Sequence, residues 1–364
     1  MTKVTGTRHI RPKRCKATGR RYVGLNYLRD QGESGNAWKH VAPRFDRTYT
    51  SLGVRANVAV VESGPLVAMI VADYEFPVPT DYADGQSRSD RLAPLPVRME
   101  YRLERGATEL QVRATIDNGA RDHWLRAGFP TGLKTDSTWA DSHFDVVARP
   151  IALPDCTGWV EPAGGTHPLR TFVDLSDGKN GFALFPQGLF EYEAMDDEPR
   201  TMLLTLIRAC RIKLAVSEEK QTELPDAGVQ CPGVRHYAYA ICPHTGNWAE
   251  AELLARAASC YAPVRAAMVG RGQGKLPLEA SLFAVDNAVV QVTCVKQAED
   301  GQGLVVRLFN PGDQAQNVTL IFGQPIAHAA RCRMDEGGAE PLPVKRNRVS
   351  ASVGPKKIAT YRIG

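Results

Sequence analysis

The sequence predicts an all-β protein, and three observations predict it. Short apolar stretches alternate with charged residues at a period of two. Gly-, Pro- and Asn-containing turns separate them, and a single stretch carries a helical pattern. Residues 54–61 are apolar and β-branched, close at Ser63-Gly64-Pro65 and are followed by 66–71, which reads as a hairpin. Residues 96–103 alternate with Arg98, Glu100 and Arg102, turn at Arg105-Gly106, and are answered by 109–116, closed at Asp117-Asn118-Gly119. Such alternation puts one face in a core and the other in water. The middle continues with 170–174, ended by Ser176-Asp177-Gly178, with 181–185, ended by Pro186-Gln187-Gly188, and with 201–207. One helix is expected near 248–259, rich in Ala, Leu and Glu, with Asn247 as its cap. The last hundred residues give strands at 288–296, 303–309, 317–322, 329–334 and 348–362, the spacing of a small C-terminal β-sandwich.

Composition excludes several function classes. The chain has 364 residues, 43% hydrophobic and 23% charged, ordinary for a folded protein of two or three domains. It has no apolar run of about 18 residues, so no membrane span is expected. The net charge of +5 comes from one end. Residues 1–21 hold Lys3, Arg8, Arg11, Lys13, Arg14, Lys16, Arg20 and Arg21 and no acid, and without those eight the chain has 37 basic against 40 acidic residues. A basic, mobile tail over 1–20 is the expectation, and no nucleic-acid partner. The eight cysteines form no C-x-x-C and stand at no zinc-ligand spacing from a His, which predicts buried free thiols and a cytoplasmic location. The stretch Gly270 to Lys275 is a linker rather than a phosphate loop, because it lacks the strand-loop-helix context and the G-x-x-x-x-G-K-[ST] spacing.

Five segments, in order, resemble the C-terminal half of family 38 glycoside hydrolases, the α-mannosidases. Residues 22–38 carry Asp30, Gly32, Glu33 and Gly35 in the family's D-x-G-[DE]-x-G pattern. Residues 129–136 with 139–150 come next, then 172–178 through 188–193 to 203–208, then 237–248, and finally 304–311 with 355–362. The resemblance implies a large antiparallel β-supersandwich of the galactose-mutarotase-like type over 21–265. It places a linker at 266–275 and a small β-sandwich over 276–364. It also implies that the catalytic βα barrel, with its zinc ion, lies on other polypeptide, in cis or in trans. The chain would begin inside the supersandwich, as a split-gene product, a truncated relative or one chain of a complex.

The chemistry then belongs elsewhere, and this chain alone is expected to be inactive. Retaining glycoside hydrolysis needs two carboxylates about 5 Å apart, which a sequence with forty acidic residues cannot nominate. The one H-x-D here, His143-Phe144-Asp145, lacks the following Trp of the family's metal motif, so no metal ligand and no cofactor are assigned to this chain. There is no G-x-S-x-G and no H-E-x-x-H. The resemblance implies that loops of the β region touch a mannose-containing glycan, with Trp139, Asp141, Tyr192 and Arg208 as the candidate sugar contacts. Trp38, Trp124, Trp159 and Trp248 read as packing residues, and His244 as ordering the start of the helix. The partners expected are the glycan, the catalytic barrel and, as an option, further copies of the chain. The alternative is a stand-alone carbohydrate-binding or oligomerisation module, since fold does not fix function.

Overall fold

The computed structural model describes residues 15–82, 86–211, 227–262, 264–275 and 277–364. The first fourteen residues of the basic segment therefore lie outside the described residues. The chain forms two compact units. One comprises the residues up to Ala140 with Ala148–Asn247, and the other Asp141–Val147 with Trp248–Gly364.

The first unit is built from two antiparallel sheets, except that residues Asp141–Val147 of the larger one belong to the second unit. The nine-stranded sheet runs in the order β3 (Asn57–Ser63), β4 (Val67–Pro79), β5 (Leu92–Glu104), β6 (Leu110–Asn118), β15 (Gly233–Thr245), β12 (Asn180–Gln187), β11 (Val173–Ser176), β8 (Ser137–Ser142), β9 (Asp145–Pro150). The six-stranded sheet runs β10 (Thr166–Pro168), β13 (Glu191–Ala194), β14 (Thr201–Arg208), β7 (His123–Pro130), β1 (Tyr27–Gly32), β2 (Tyr49–Thr50). The period-two pattern explains their packing. On β5, Leu95, Val97 and Met99 are buried while Arg98 and Pro96 between them are exposed. On β6, Val112, Ala114 and Ile116 are buried in the same way. These side chains share one core with Leu125, Ala127 and Phe129 of β7 and Met202 and Leu204 of β14. One apolar core fed by both sheets is the sandwich arrangement.

The second unit has its own core, in which Val306, Leu308, Leu320, Val349 and Tyr361 meet. Its strands form a four-stranded sheet, β16 (Phe283–Val285), β19 (Gln316–Phe322), β23 (Arg348–Val353), β22 (Val344–Lys345), and a five-stranded one. The five-stranded sheet is β17 (Gln291–Gln297), β18 (Leu304–Asn310), β24 (Lys357–Ile363), β20 (Ala329–Cys332), β21 (Glu340–Leu342). Residues 264–275 carry no regular structure and are exposed. No helix among the described residues is long and apolar enough to cross a membrane.

Three details differ from the sequence reading. The helix is α1 (Leu253–Tyr261), preceded by turns, because Glu252 takes a left-handed backbone (φ 54°) that interrupts a helical run. Its N-cap position is Glu252, not Asn247. The stretch 348–362 is two strands, broken at Gly354-Pro355-Lys356, where Lys356 has φ 53°. His143 and Phe144 form the turn between β8 and β9, where Phe144 has φ 55°. The eight cysteines are all free thiols, with Cys210, Cys242 and Cys332 buried and the other five half-buried.

Asn310, fully buried at the end of β18, holds the second unit's main turn. Its Nδ2 donates to the carbonyls of Gln314 (2.8 Å), Gly354 (3.0 Å) and Val353 (3.1 Å), and its Oδ1 accepts from the Gly312 amide (2.9 Å). Replacing it with Ala strands these groups. Asn310→Ala is expected to cost roughly 2–3 kcal/mol in urea unfolding. An unchanged midpoint would contradict this role for the Asn310 amide.

Candidate functional site, a tethered tryptophan loop

The six-stranded sheet has a second face. With Leu28, Leu125, Ala127, Met202 and Leu204 turned into the core, alternation turns Gln31, Trp124, Arg126, Thr205, Glu191 and Glu193 the other way. This face is polar yet closed. Arg126 and Trp124 are both buried, with the guanidinium 3.6 Å from the indole centroid. Arg126 also pairs with Glu193 and Gln31. The Trp124 Nε1 donates to Thr205 Oγ1 (3.0 Å), which donates to Glu191 Oε1 (2.7 Å).

The chain leaves β1 through the D-x-G-E-x-G stretch, and the two acids of that stretch organise the loop beyond it. Asp30, fully buried, binds Arg88 and lies 2.5 Å from His123 Nδ1. The other ring nitrogen of His123 donates to Asn118 Oδ1 (3.1 Å), whose Nδ2 is taken by the carbonyls of Gln230 and Cys231.

Glu33 is the centre of the site. Its carboxylate is buried and accepts four hydrogen bonds. Oε1 takes the amides of Gly35 (2.7 Å) and Val41 (3.2 Å), and Oε2 takes His40 Nδ1 (2.8 Å) and Arg208 Nε (2.9 Å). Burial pushes the Glu33 carboxyl up, but the bonds and charges of His40 and Arg208 outweigh it and hold the group below its ordinary value. The His40 ring also rests on Trp124, centroids 4.3 Å apart.

The segment from Glu33 to Val41 is tied down along its length. The Ser34 amide and hydroxyl both donate to the Val41 carbonyl, each at 2.8 Å. Asn36 Oδ1 accepts from the amides of Trp38 (2.9 Å) and Lys39 (3.0 Å), and the Asn36 carbonyl accepts from Arg208 Nη2 (3.0 Å). Gly35 fits a crossing that no side chain would, since a Cβ there would stand 2.1 Å from the Lys39 carbonyl oxygen. At the tip of this loop Trp38 is 78% exposed. Lys39 reaches Glu161 at 3.4 Å, on the segment that carries Trp159, itself 57% exposed. Trp38 and Trp159 are thus large aromatic rings in water, Trp38 on a loop held by these hydrogen bonds, and an exposed indole is a surface that can stack on a sugar face.

The structure separates the four residues expected to touch sugar. Arg208 joins the Glu33 centre, but as a tether, with its guanidinium engaged by Glu33, Asn36 and Glu191 (3.6 Å). Tyr192 is fully buried on β13 and its hydroxyl bonds Thr138 Oγ1 at 2.7 Å. Trp139 is half-buried on β8, in register with Asp174, and Asp141 is buried two residues later. Trp124 and Trp248 are buried, as expected, but Trp38 and Trp159 are not packing residues. His244 pairs with the buried Asp174 (2.8 Å) across the sheet. An open groove of about 560 Å³ on the nine-stranded sheet is lined by Arg55, Asp73, Glu75 and Arg98 among others, with the half-buried Tyr74 as its one aromatic residue.

Residues 10–214 match the model of the glycosyl hydrolases family 38 C-terminal domain, and 289–361 that of the glycosyl hydrolases family 38 C-terminal beta sandwich domain. The chain belongs to glycosyl hydrolase family 38. This family 38 chain is 27% identical over 362 residues to the protein of Halalkalibacterium halodurans named "Putative mannosylglycerate hydrolase", covering 95% of itself and 39% of that protein. It is 23% identical over 248 residues to human alpha-mannosidase 2C1, covering 65% of itself and 22% of that protein. An alpha-mannosidase from Enterococcus faecalis V583 has a solved structure similar to this fold, with a TM-score of 0.83 at 26% identity over 95% of this chain and 39% of that one. The family 38 chain thus spans about two fifths of the length of the first of these relatives and of that structure.

The depressed Glu33 carboxyl fixes the sign of a pH dependence. A group whose folded value lies below its unfolded one stabilises the fold above the unfolded value, and that stability is lost as pH falls through the folded one. Glu33→Gln is expected to cost roughly 3 kcal/mol at neutral pH, and the gap to the wild type should close on acidification below the usual Glu value of about 4.3. Thermal melts across pH check it, and a gap that stays constant would contradict an ionised, depressed Glu33.

Proposed function

We propose that this chain is the C-terminal β region of an α-mannoside-cleaving glycoside hydrolase and shapes the glycan pocket of a catalytic barrel carried on other polypeptide. The observation that carries the reading is Trp38, a solvent-facing indole on a loop held by a buried carboxylate with four donors. Rings left in water at such a cost in hydration serve recognition more often than packing. Membership of family 38 and the names of the relatives supply the substrate class, a mannose-containing glycan. Sugar contact in this reading passes from Tyr192 and Arg208, which are occupied within the fold, to Trp38, with Trp159 as a second ring.

The proposal assigns the chemistry to the barrel and recognition to this chain. The zinc and the two reacting carboxylates belong to the barrel, in cis or in trans. This chain supplies an ordered aromatic surface, which lowers the entropy lost when a flexible glycan binds.

A nitrophenyl α-mannoside assay tests the proposal. The chain alone should not turn it over, and turnover should appear when the polypeptide matching the rest of a family 38 protein is added. In that reconstituted enzyme Trp38→Ala should raise KM by up to about tenfold with a smaller effect on kcat, the size of one lost ring contact. Turnover by this chain alone, or a Trp38→Ala enzyme with unchanged KM, would overturn the proposal.

A further inference from the structure

Strand β3 is an edge of the nine-stranded sheet, and among the described residues nothing pairs with its outer side. All seven of its residues are exposed, including Val58 (55%), Val60 (65%) and Val61 (54%). Exposed edges are ordinarily guarded by Lys, Pro, inward-pointing charges or β-bulges, because their free N–H and C=O groups template another strand. The run Asn57 to Ser63 has no Lys and no Pro, its one charge is Glu62, and its one bulge, between Val60 and Glu62, leaves Asn57 to Val60 in regular register. The apolar surface continues inward from it through Ile70, Leu66 and Leu103, all exposed.

We infer that β3 is a dimerisation edge on which a second copy of this chain pairs, β3 against β3, about a two-fold axis normal to the sheet. The sequence is self-complementary in one register. Such an axis keeps each face of the sheet on its own side, so residues that meet must share a face. Val58 and Val60 are level with Ala72 and Ile70 on one face, and Asn57 with Asp73 on the other. Between Val60 and Glu62 the register shifts by a bulge, which moves Glu62 onto the face of Met69, the same face as Asn57 and, by alternation, Arg55. With the axis through Val58, Val60 meets Ala56 of the second copy, Asn57 meets Ala59, and Arg55 falls level with Glu62. Both Arg55–Glu62 pairs form at once, one on each side of the axis. Arg55 and Glu62 are exposed, and within the chain neither has an ion-pair partner among the described residues. Without the bulge, Glu62 would point to the Val60 face and the charges could not meet.

The mode is β-strand addition, in which main-chain bonds give affinity and alternate side chains give register. It is independent of the sugar-binding reading, since it uses only β3 and Arg55. Sedimentation velocity on the full chain tests it. Wild type should be a dimer at micromolar concentration, and Val58→Lys should weaken dimerisation by at least about tenfold, as edge lysines do. Val58 is exposed, so circular dichroism should stay unchanged. Arg55→Glu and Glu62→Arg should each weaken the dimer, and the two together should restore it. A monomeric wild type, a dimer indifferent to Val58→Lys, or no rescue by the double charge swap would each overturn the proposal.

Discussion

Glu33 is a carboxylate taken out of water, and the surrounding structure is arranged so that it can stay there. Removing an ion from water costs several kcal/mol even in a relaxed protein, and only close partners repay it. Glu33 has four: two amides from its own loop, an imidazole and a guanidinium. The amides fix the path of the segment up to Val41. The guanidinium comes from the end of β14, and the imidazole lies on Trp124 of β7. One side chain thereby ties three neighbouring strands of a sheet to a loop that has no core of its own.

The six-stranded sheet does two jobs with its two faces. One face carries Leu28, Leu125, Ala127, Phe129, Met202 and Leu204 into an apolar core and supplies stability through burial. The other carries Arg126, Trp124, Thr205 and Glu191 in a hydrogen-bonded layer, which specifies geometry rather than adding much stability. Asp30 repeats the device at the other acid of the same stretch, between Arg88 and His123. A site held by such a layer is pre-organised, so binding costs little ordering.

Much of the fold was legible because burial writes itself into a period of two. The hairpin β5–β6 and strands β19 and β23 obey that pattern. The same rule, applied strictly to Glu191-Tyr192-Glu193, already puts Tyr192 in the core if the two acids face outward. The start of α1 was not legible, since a left-handed Glu252 leaves no mark in a sequence rich in helix formers. Trp38 was hidden for a different reason. An indole carries no periodicity on a loop, and a buried one looks the same in sequence as an exposed one. The usable signal was its setting, Gly35-Asn36 just before it, two residues that build turns rather than cores. The family, by contrast, was legible from five segments standing in the family's order, and the two family 38 models match residues 10–214 and 289–361.

The candidate site depends on the loop from Glu33 to Val41 being as rigid as the sheet that holds it. Amide hydrogen exchange measures this directly. The amides of Gly35, Trp38, Lys39 and Val41, each donated to a Glu33 or Asn36 oxygen, should exchange slowly, with protection comparable to that of β1. Exchange at the rate of an unstructured peptide at these four positions would contradict a tethered loop and remove the reason for treating Trp38 as a prepared surface.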